Sequence, residues 1–390
     1  MEDNSRLAQT QWSIRPVDHR FWGLDDLTEA ARKVAERSVE RLYRRNTLKM
    51  VNKGGKLGLT TTRIREQDLE PIGVSYHAEA QLAQSVSAPI SYLRQLPVDL
   101  AAECLNSGLQ RYDDSVGTLV YNRQPNGGEA EWVVRSVASE RYERIWTYKF
   151  LSGIKEMIED SPNAAHFRVP PAWPNAPDPR TRLATAEDVG PWTLVKEGDD
   201  IAPAGAYYSP ETGKDTFLFM LNTDKVIDMP EKGVGFRALI LYNSESRAGK
   251  VGGMTCVINA ACGNHYLLGM RDVKEFSFRH IGDSLTFRTT AKMKSIMGVM
   301  DDAPWETEVF GNASRRILGK TTEEVVETVV KSTKLSQRSV MDALMGVSQL
   351  DYGNPFSAYA VSSALTEQSQ RLGFIEDRME LDTAAAKLLN

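Results

Sequence analysis

Two cysteines and a histidine lie close together in the run GGMTCVINAACGNHYLLG, and their types could support chemistry. Cys256, Cys262 and His265 are spaced C-x5-C-x2-H, and cysteine sulfur and histidine nitrogen are ligands that zinc prefers. A structural zinc needs four ligands, and no fourth ligand lies nearby in the sequence. A cysteine nucleophile needs a base and an orienting group, for which His265 and Asn264 have the right types. The run therefore raises two chemical hypotheses, a metal site and thiol catalysis.

A structural interpretation of the same run is favoured over both. Free cysteine is among the most buried residue types and packs as a small hydrophobe. Gly263 permits a close backbone approach or a positive φ, and Asn264 suits a helix N-cap or a tight turn. We therefore predict no catalytic residue and no cofactor. Cys256, Cys262 and His265 stay as candidate metal ligands.

Basic residues concentrate in one segment of a chain whose net charge is −5. Between Arg32 and Arg65, eleven lysines and arginines stand against Glu36 and Glu40, so this segment carries +9 and the rest of the chain −14. Such a segment could neutralise phosphates. It could equally be a solvated helix face, or a surface that docks on an acidic face of a neighbouring subunit. The candidate nucleic-acid-binding cations of this segment are Arg41, Arg44, Arg45, Lys49, Lys53, Lys56, Arg63 and Arg65.

Aromatic and basic residues interleave in a second run, ERYERIWTYKF. Single-stranded nucleic acid requires stacking aromatic rings beside phosphate-binding cations, so Arg141 and Arg144 join the candidates. Arg135 and Lys149 are predicted as further surface cations. The alternative is that the aromatic residues share one apolar helix face, which more often belongs to a core.

The apolar spacing along the chain predicts the elements that position these residues. Residues 25–50 predict one amphipathic helix, because their apolar residues follow a period near 3.6. Residues 76–112 predict further helices. Alternating apolar runs around residues 126–128 and 211–213, both of which contain glycine, predict two β-hairpins.

The predicted fold class is α+β, in which a central antiparallel β-hairpin sheet region is flanked by N-terminal and C-terminal helices. The predicted organisation is 1–75 a basic helical arm and loop, 76–160 helices with a hairpin-helix unit, 161–182 a Pro-rich crossing segment, 183–310 a β-rich core, and 311–390 a C-terminal helical region.

The composition is that of an ordinary globular protein, with 41% hydrophobic and 25% charged residues. No stretch approaches the length of about 20 apolar residues that a membrane span needs. Three cysteines argue against a disulfide framework and for a reducing compartment.

The run GFRALILYNSESRAGKVGGMTCVINAACGNHYLLG resembles the central motif of the DUF932 family of phage/plasmid-like proteins. The run SERY at 139–142 and the C-terminal run SAYAVSSALTEQSQ resemble the strand-to-helix junction and the closing helices of that family. The resemblance covers roughly residues 95–390 and implies an origin in a mobile element rather than a chemistry. The architecture of hairpins with a following helix also resembles phage single-strand annealing proteins, which form rings.

These features together predict a phage- or plasmid-encoded nucleic-acid-binding protein of DNA metabolism in the cytoplasm of a bacterial host. It would be a single-strand binding or annealing homo-oligomer, with single-stranded DNA as its partner and no membrane contact. Two alternatives stay open. One is a structural or assembly protein of a phage particle, and the other is a metal- or thiol-dependent enzyme centred on Cys262 and His265.

Overall fold

The computed structural model shows an α+β protein with two β-sheets, as the element pattern predicts. The described residues are 19–62, 70–123, 130–160, 167–169, 182–183, 200–201, 206–209, 216–247, 249–259, 265–266, 275–280, 288–293, 305–346, 352–369 and 375–389. Within these ranges, no helix is both long and apolar enough to cross a membrane.

The first sheet, here called the N-terminal sheet, is mixed and has six strands in the order β2-β6-β7-β5-β4-β3. The chain first forms β1 (Arg20–Phe21) and α1 (Leu24–Glu36). The strands of the N-terminal sheet are β2 (Ser38–Arg44), β3 (Leu48–Lys53), β4 (Lys56–Thr61), β5 (Ile72–Val74), β6 (Ser115–Arg123) and β7 (Glu131–Ser139). Only β5 and β7 pair in parallel.

This sheet is strongly curled, because its two edge strands are neighbours in the sequence. β2 and β3 lie at opposite edges of the sheet. Only the 3₁₀ turn Arg45–Thr47 joins them, so the edges must approach each other. The Thr62 amide, just after β4, donates to the Thr47 carbonyl at 2.8 Å, which fixes this turn to the β3–β4 pair. Three helices pack against the apolar side chains of the sheet: α2 (Tyr76–Ser85), α3 (Ile90–Leu93) and α4 (Val98–Leu109).

The second sheet, here called the body sheet, is antiparallel and runs in the order β1-β11-β12-β13-β14-β15, with β8 on β12 and β16 on β14. The helix α5 (Thr147–Asp160) packs beside α1 on one face of this sheet. The strands after α5 are β8 (Phe167–Arg168), β9 (Arg182–Leu183), β10 (Asp200–Ile201), β11 (Ala206–Tyr208), β12 (Thr216–Met229), β13 (Gly233–Asn243), β14 (Val251–Asn259), β15 (His265–Tyr266) and β16 (Glu275–Phe278). The short pair β9–β10 is separate from both sheets.

A set of C-terminal helices completes the molecule, and a buried ion pair joins the first of them to the body sheet. Arg237 of β13 donates to both carboxylate oxygens of Glu306, at 2.7 and 2.9 Å. This two-bond geometry is the strongest form of an arginine–carboxylate contact. The helices are α6 (Glu306–Arg315), α7 (Thr322–Thr333), α8 (Gln337–Gly346), α9 (Ala358–Ser369) and α10 (Ile375–Ala386).

The predicted helix over residues 25–50 is wrong beyond Glu36. Helix α1 ends there, and Ser38–Arg44 forms β2, which pairs with β6 over all of its seven residues. The pairing partner is about 80 residues away, so tertiary contact overrides the local helical period. Between Ser38 and Thr61 the basic segment is therefore built of strands and not of a helical arm. Helix α5 likewise begins only at Thr147, so ERYERIW is not helical.

The two predicted hairpins are present as the pairs β6–β7 and β11–β12, although both turns lie outside the described residues. The predicted helices over 76–112 are α2, α3 and α4. The Pro-rich stretch 161–182 falls mostly outside the part that the structure describes.

We expect replacement of Gly55 with Ala to lower the free energy of unfolding by about 1 kcal/mol. Gly54 and Gly55 join β3 to β4 with φ of +59° and +83°, a conformation that side chains rarely adopt. The matched change Gly153→Ala lies inside α5, where an added Cβ meets nothing within 4 Å. It should stabilise by a similar amount through helix propensity. Urea unfolding of both variants measures these changes in the free energy of unfolding. A change of the same sign in both variants would contradict the prediction.

Candidate nucleic-acid interface

The hairpin of β3 and β4, here called the basic hairpin, presents Lys49, Lys53 and Lys56 to solvent. Lys53 and Lys56 are directly opposite each other across the turn. The side chain of Asn52 shapes the turn by accepting a hydrogen bond from the Gly55 amide at 2.9 Å. It also donates to the Asp99 carboxylate at 3.1 Å, which fixes the hairpin to the start of α4.

Strand β2 adds two further exposed cations, Arg41 and Arg44, and the turn Arg45–Thr47 joins its end to the basic hairpin. Arg41 lies at a small pocket of the curled sheet that Tyr43, Thr118 and Val134 also line. Among the described residues, no carboxylate forms an ion pair with Arg44 or with the three lysines of the basic hairpin. These cations therefore keep their charge available to an anionic ligand.

Two of the predicted cations are instead bound inside the protein. Arg45 forms an ion pair with Asp114, donates to the Ser85 carbonyl at 2.6 Å, and lies over the ring of Tyr112. The Arg144 side chain is 3% exposed and pairs with Glu40 at 3.0 Å.

Of the remaining candidates, Arg141 is exposed. Arg63 and Arg65 lie outside the described residues.

The prediction of Arg135 as a surface cation is wrong, because its side chain is completely buried. Leu119 pairs with Ser136 and Val120 with Val134, so Arg135 is the extra residue of a β-bulge in β7. A bulge breaks the regular alternation of side chains between the two faces of a strand. The sequence pattern alone does not show where this happens.

Arg135 joins a buried polar network, here called the junction network, with Glu245 and Tyr208. Its Nη2 donates to Glu245 Oε2 at 3.2 Å and to the Tyr208 hydroxyl at 3.3 Å. Tyr208 donates to the same carboxylate oxygen at 3.0 Å, and the Thr147 amide donates to Oε1 at 2.6 Å. The network links β7, β11, the segment after β13 and the first turn of α5. It therefore holds the N-terminal sheet and the body sheet together.

The charges in this network are fixed by its geometry. Burial lowers the pKa of Arg135, but its contacts with Tyr208 and Glu245 raise it by more, so that the arginine stays a cation. Burial, and then the neighbouring carboxylate, raise the pKa of the Tyr208 hydroxyl well above its ordinary value. The tyrosine therefore stays a neutral donor to the carboxylate.

Beside this network, His280 stacks on Tyr142 with ring centroids 5.0 Å apart. Its Nδ1 donates to the Glu143 carbonyl at 3.1 Å, and the Glu143 amide donates back to the His280 carbonyl at 2.9 Å. Burial, and to a lesser extent the charge of Arg144, lower the pKa of His280 to about 4. The folded protein therefore holds this imidazole in its neutral form.

The cysteine–histidine run is only partly described. Cys256 lies in β14 opposite Ala238 and is 3% exposed. Burial raises the pKa of its thiol far above the usual value, which disfavours the thiolate that a nucleophile or metal ligand requires. His265 lies in β15 opposite Ile258.

The other members of the run, Cys262, Gly263 and Asn264, lie outside the described residues. Within the described part, no three histidine, cysteine or acidic residues group as a metal site would require.

No protein-family model, curated protein or solved structure matches this chain. The resemblance to the DUF932 family therefore stays a prediction that rests on the quoted runs.

We expect Glu245→Ala to lower the free energy of unfolding by about 3–5 kcal/mol, because it leaves the buried Arg135 charge without a partner. The double change Arg135→Met with Glu245→Leu should cost less, since it removes both charges together. The exposed pair Lys331–Glu327 provides the control, and Glu327→Ala should leave the unfolding midpoint nearly unchanged. Chemical unfolding measures all three, and a small loss for Glu245→Ala would contradict the role of the network.

We also expect stability to fall as pH drops from about 6.5 to about 4, the window between the ordinary and the lowered pKa of His280. The unfolded chain binds a proton there that the folded protein excludes. The free energy of unfolding then decreases by up to about 1.4 kcal/mol per pH unit. His280→Gln should reduce this slope. Urea unfolding at several pH values compares the two proteins, and identical slopes would rule out this origin of acid sensitivity.

Proposed function

We propose that this protein binds single-stranded nucleic acid, with single-stranded DNA as the expected partner, through the basic hairpin and the neighbouring arginines of β2. The observation that carries the proposal is the exposure of Arg44, Lys49, Lys53 and Lys56 without an ion pair to any described residue. Cations that bind phosphates must be accessible and unneutralised in the free protein.

The arrangement of the lysines supports an anionic ligand. Lys53 and Lys56 are directly opposite each other, and like charges at such positions destabilise a hairpin. Bound phosphates would relieve this repulsion. Lys49 and Lys53 are four residues apart on the same face of β3, which corresponds to about 13 Å along the strand. That distance is long enough for one strand to contact both.

The charge of the rest of the molecule favours binding of an anionic ligand at the basic segment alone. The basic segment carries +9 and the remaining chain −14, so phosphate contacts elsewhere would meet repulsion. We propose on the same basis, and on the resemblance of residues 95–390 to phage/plasmid-like proteins, that the chain serves DNA metabolism in a mobile element.

We expect the triple change Lys49→Gln, Lys53→Gln and Lys56→Gln to weaken binding of a single-stranded oligonucleotide and to flatten its salt dependence. The slope of log affinity against log salt should decrease in magnitude by about 2, since each lost phosphate contact contributes about 0.7. Fluorescence anisotropy with a labelled oligonucleotide between about 50 and 200 mM salt measures both.

The matched control is the triple change Lys250→Gln, Lys320→Gln and Lys331→Gln, which alters the net charge equally at exposed positions away from the hairpin. It should keep the wild-type slope. Equal losses in the two triple variants would assign the effect to net charge alone. Absence of binding at low salt, or binding that salt does not change, would overturn the proposed function.

The predicted homo-oligomer and the particle-assembly alternative can be tested on the same samples. Sedimentation with and without oligonucleotide gives the mass of each species. Self-association without nucleic acid that the hairpin variant abolishes, together with no oligonucleotide binding, would favour the alternative in which the basic surface docks on an acidic neighbour.

A further inference from the structure

Two tyrosines stand exposed on the helices that follow β5. Tyr76, the first residue of α2, is 71% exposed, and Tyr92 of α3 is 58% exposed. Isolated exposed apolar residues are common on protein surfaces. Here, however, a cation lies over one of the rings. The guanidinium carbon of Arg94 is 3.1 Å from the ring centroid of Tyr76.

Arg94 is itself held in place, so the ring it covers has a defined position. Its Nη2 donates to the Tyr76 carbonyl at 2.6 Å, and its Nε donates to Glu79 Oε2 at 3.4 Å. One face of the Tyr76 ring therefore lies on the guanidinium, while its high exposure leaves the other face to solvent. A ring fixed before binding loses little side-chain entropy when a ligand stacks on it.

The tyrosines lie at the same end of the N-terminal sheet as the tip of the basic hairpin. β5 runs antiparallel to β4 with Gly73 opposite Gly58, so its last residues approach the beginning of β4, where Lys56 stands. Tyr76 follows two residues after the end of β5. The bond from Asn52 to Asp99 brings the start of α4 to this end as well, and α3 immediately precedes α4.

The local charge at this end favours an anion. Two acidic side chains lie at this end: Glu79 is paired with Arg94, whereas Asp99 accepts a hydrogen bond from the neutral Asn52 and keeps its charge. The two lysines at the tip outweigh this one carboxylate. Lys53 and Lys56 have no carboxylate partner in the described parts of the chain. Aromatic rings at the same end of the sheet as these lysines offer the two contacts that a single strand can use, one for the face of a base and one for a nearby phosphate.

We propose that Tyr76 and Tyr92 form a base-stacking platform, on which bases of a single strand stack while Lys53 and Lys56 bind the adjoining phosphates. This inference rests on the proposed function and extends it in one respect. It assigns unpaired bases as the ligand, because bases within a duplex are already stacked on their neighbours. The platform is tolerant of sequence, since every base has a face that can stack.

The test compares Tyr76→Ala with Tyr112→Ala in the full-length protein. Tyr112 is a matched control, because it is also an exposed tyrosine under an arginine, with Arg45 at 4.6 Å, but it lies near the start of β3 and not at the hairpin tip. Anisotropy with an oligothymidine and with a duplex of equal length gives the affinities. Thermal unfolding verifies that each variant is folded.

Tyr76→Ala should bind oligothymidine about 5- to 150-fold more weakly, the loss that corresponds to one stacked base. Its salt slope should equal that of the wild type, because no phosphate contact is removed. Tyr76→Trp should retain the affinity, duplex binding should not change, and Tyr112→Ala should behave as the wild type.

Other outcomes separate the platform from the proposed function. Salt-dependent wild-type binding with equal affinities for the two alanine variants would overturn the platform and leave the function standing. An equal loss for duplex would also overturn the platform. Unchanged oligothymidine affinity with reduced self-association in sedimentation would assign the tyrosines to a protein interface instead. Absence of wild-type binding would overturn both proposals.

Discussion

The buried contact between Arg135 and Glu245 is the constraint on which the two-sheet arrangement depends. Two charges removed from water destabilise a fold unless each is fully hydrogen-bonded. Here the carboxylate accepts from Arg135, from the Tyr208 hydroxyl and from the Thr147 amide at the start of α5. Each donor comes from a different element, so all of these elements must be in place before either charge is satisfied. The contact therefore selects one relative position of the sheets.

Further polar contacts around the junction network also join separate elements of the fold. The carbonyl of Ser246 accepts from the Gln81 amide at 2.6 Å, and Gln81 in turn accepts from the Val137 amide at 2.8 Å. Helix α2 is thereby tied both to β7 and to the segment after β13. The start of that helix carries Tyr76, so the junction that orders the interior also restrains the helix that bears the proposed platform.

The sequence supports prediction of this fold where neighbouring residues decide the structure. Alternation of apolar residues identifies β6 and β7. Ser75, before α2, is a typical N-cap residue, and its side chain accepts a hydrogen bond from the Ala78 amide. It fails at β2, whose periodicity is helical and whose partner β6 is remote. It fails again at Arg135, because an arginine in a strand is normally exposed. Its burial follows only from Glu245, 110 residues away.

The candidate site could also be predicted only in part from the sequence. The concentration of cations between Arg32 and Arg65 is visible in the sequence, whereas their exposure is not. Only tertiary structure separates Arg45 and Arg144, which are bound to carboxylates, from the lysines of the basic hairpin. The pairing of Tyr76 with Arg94 also escapes a search for local motifs, since eighteen residues separate them.

The position of α1 has a consequence for how the chain is synthesised. This helix packs with α5 on the body sheet. In the sequence, all strands of the N-terminal sheet lie between these two helices. β1 pairs with β11, whose residues leave the ribosome more than 180 positions later. The N-terminal sheet can assemble its own core while α1 still lacks its partners. The nascent protein therefore exposes the apolar face of α1 until the residues of α5 and of the body sheet have been synthesised.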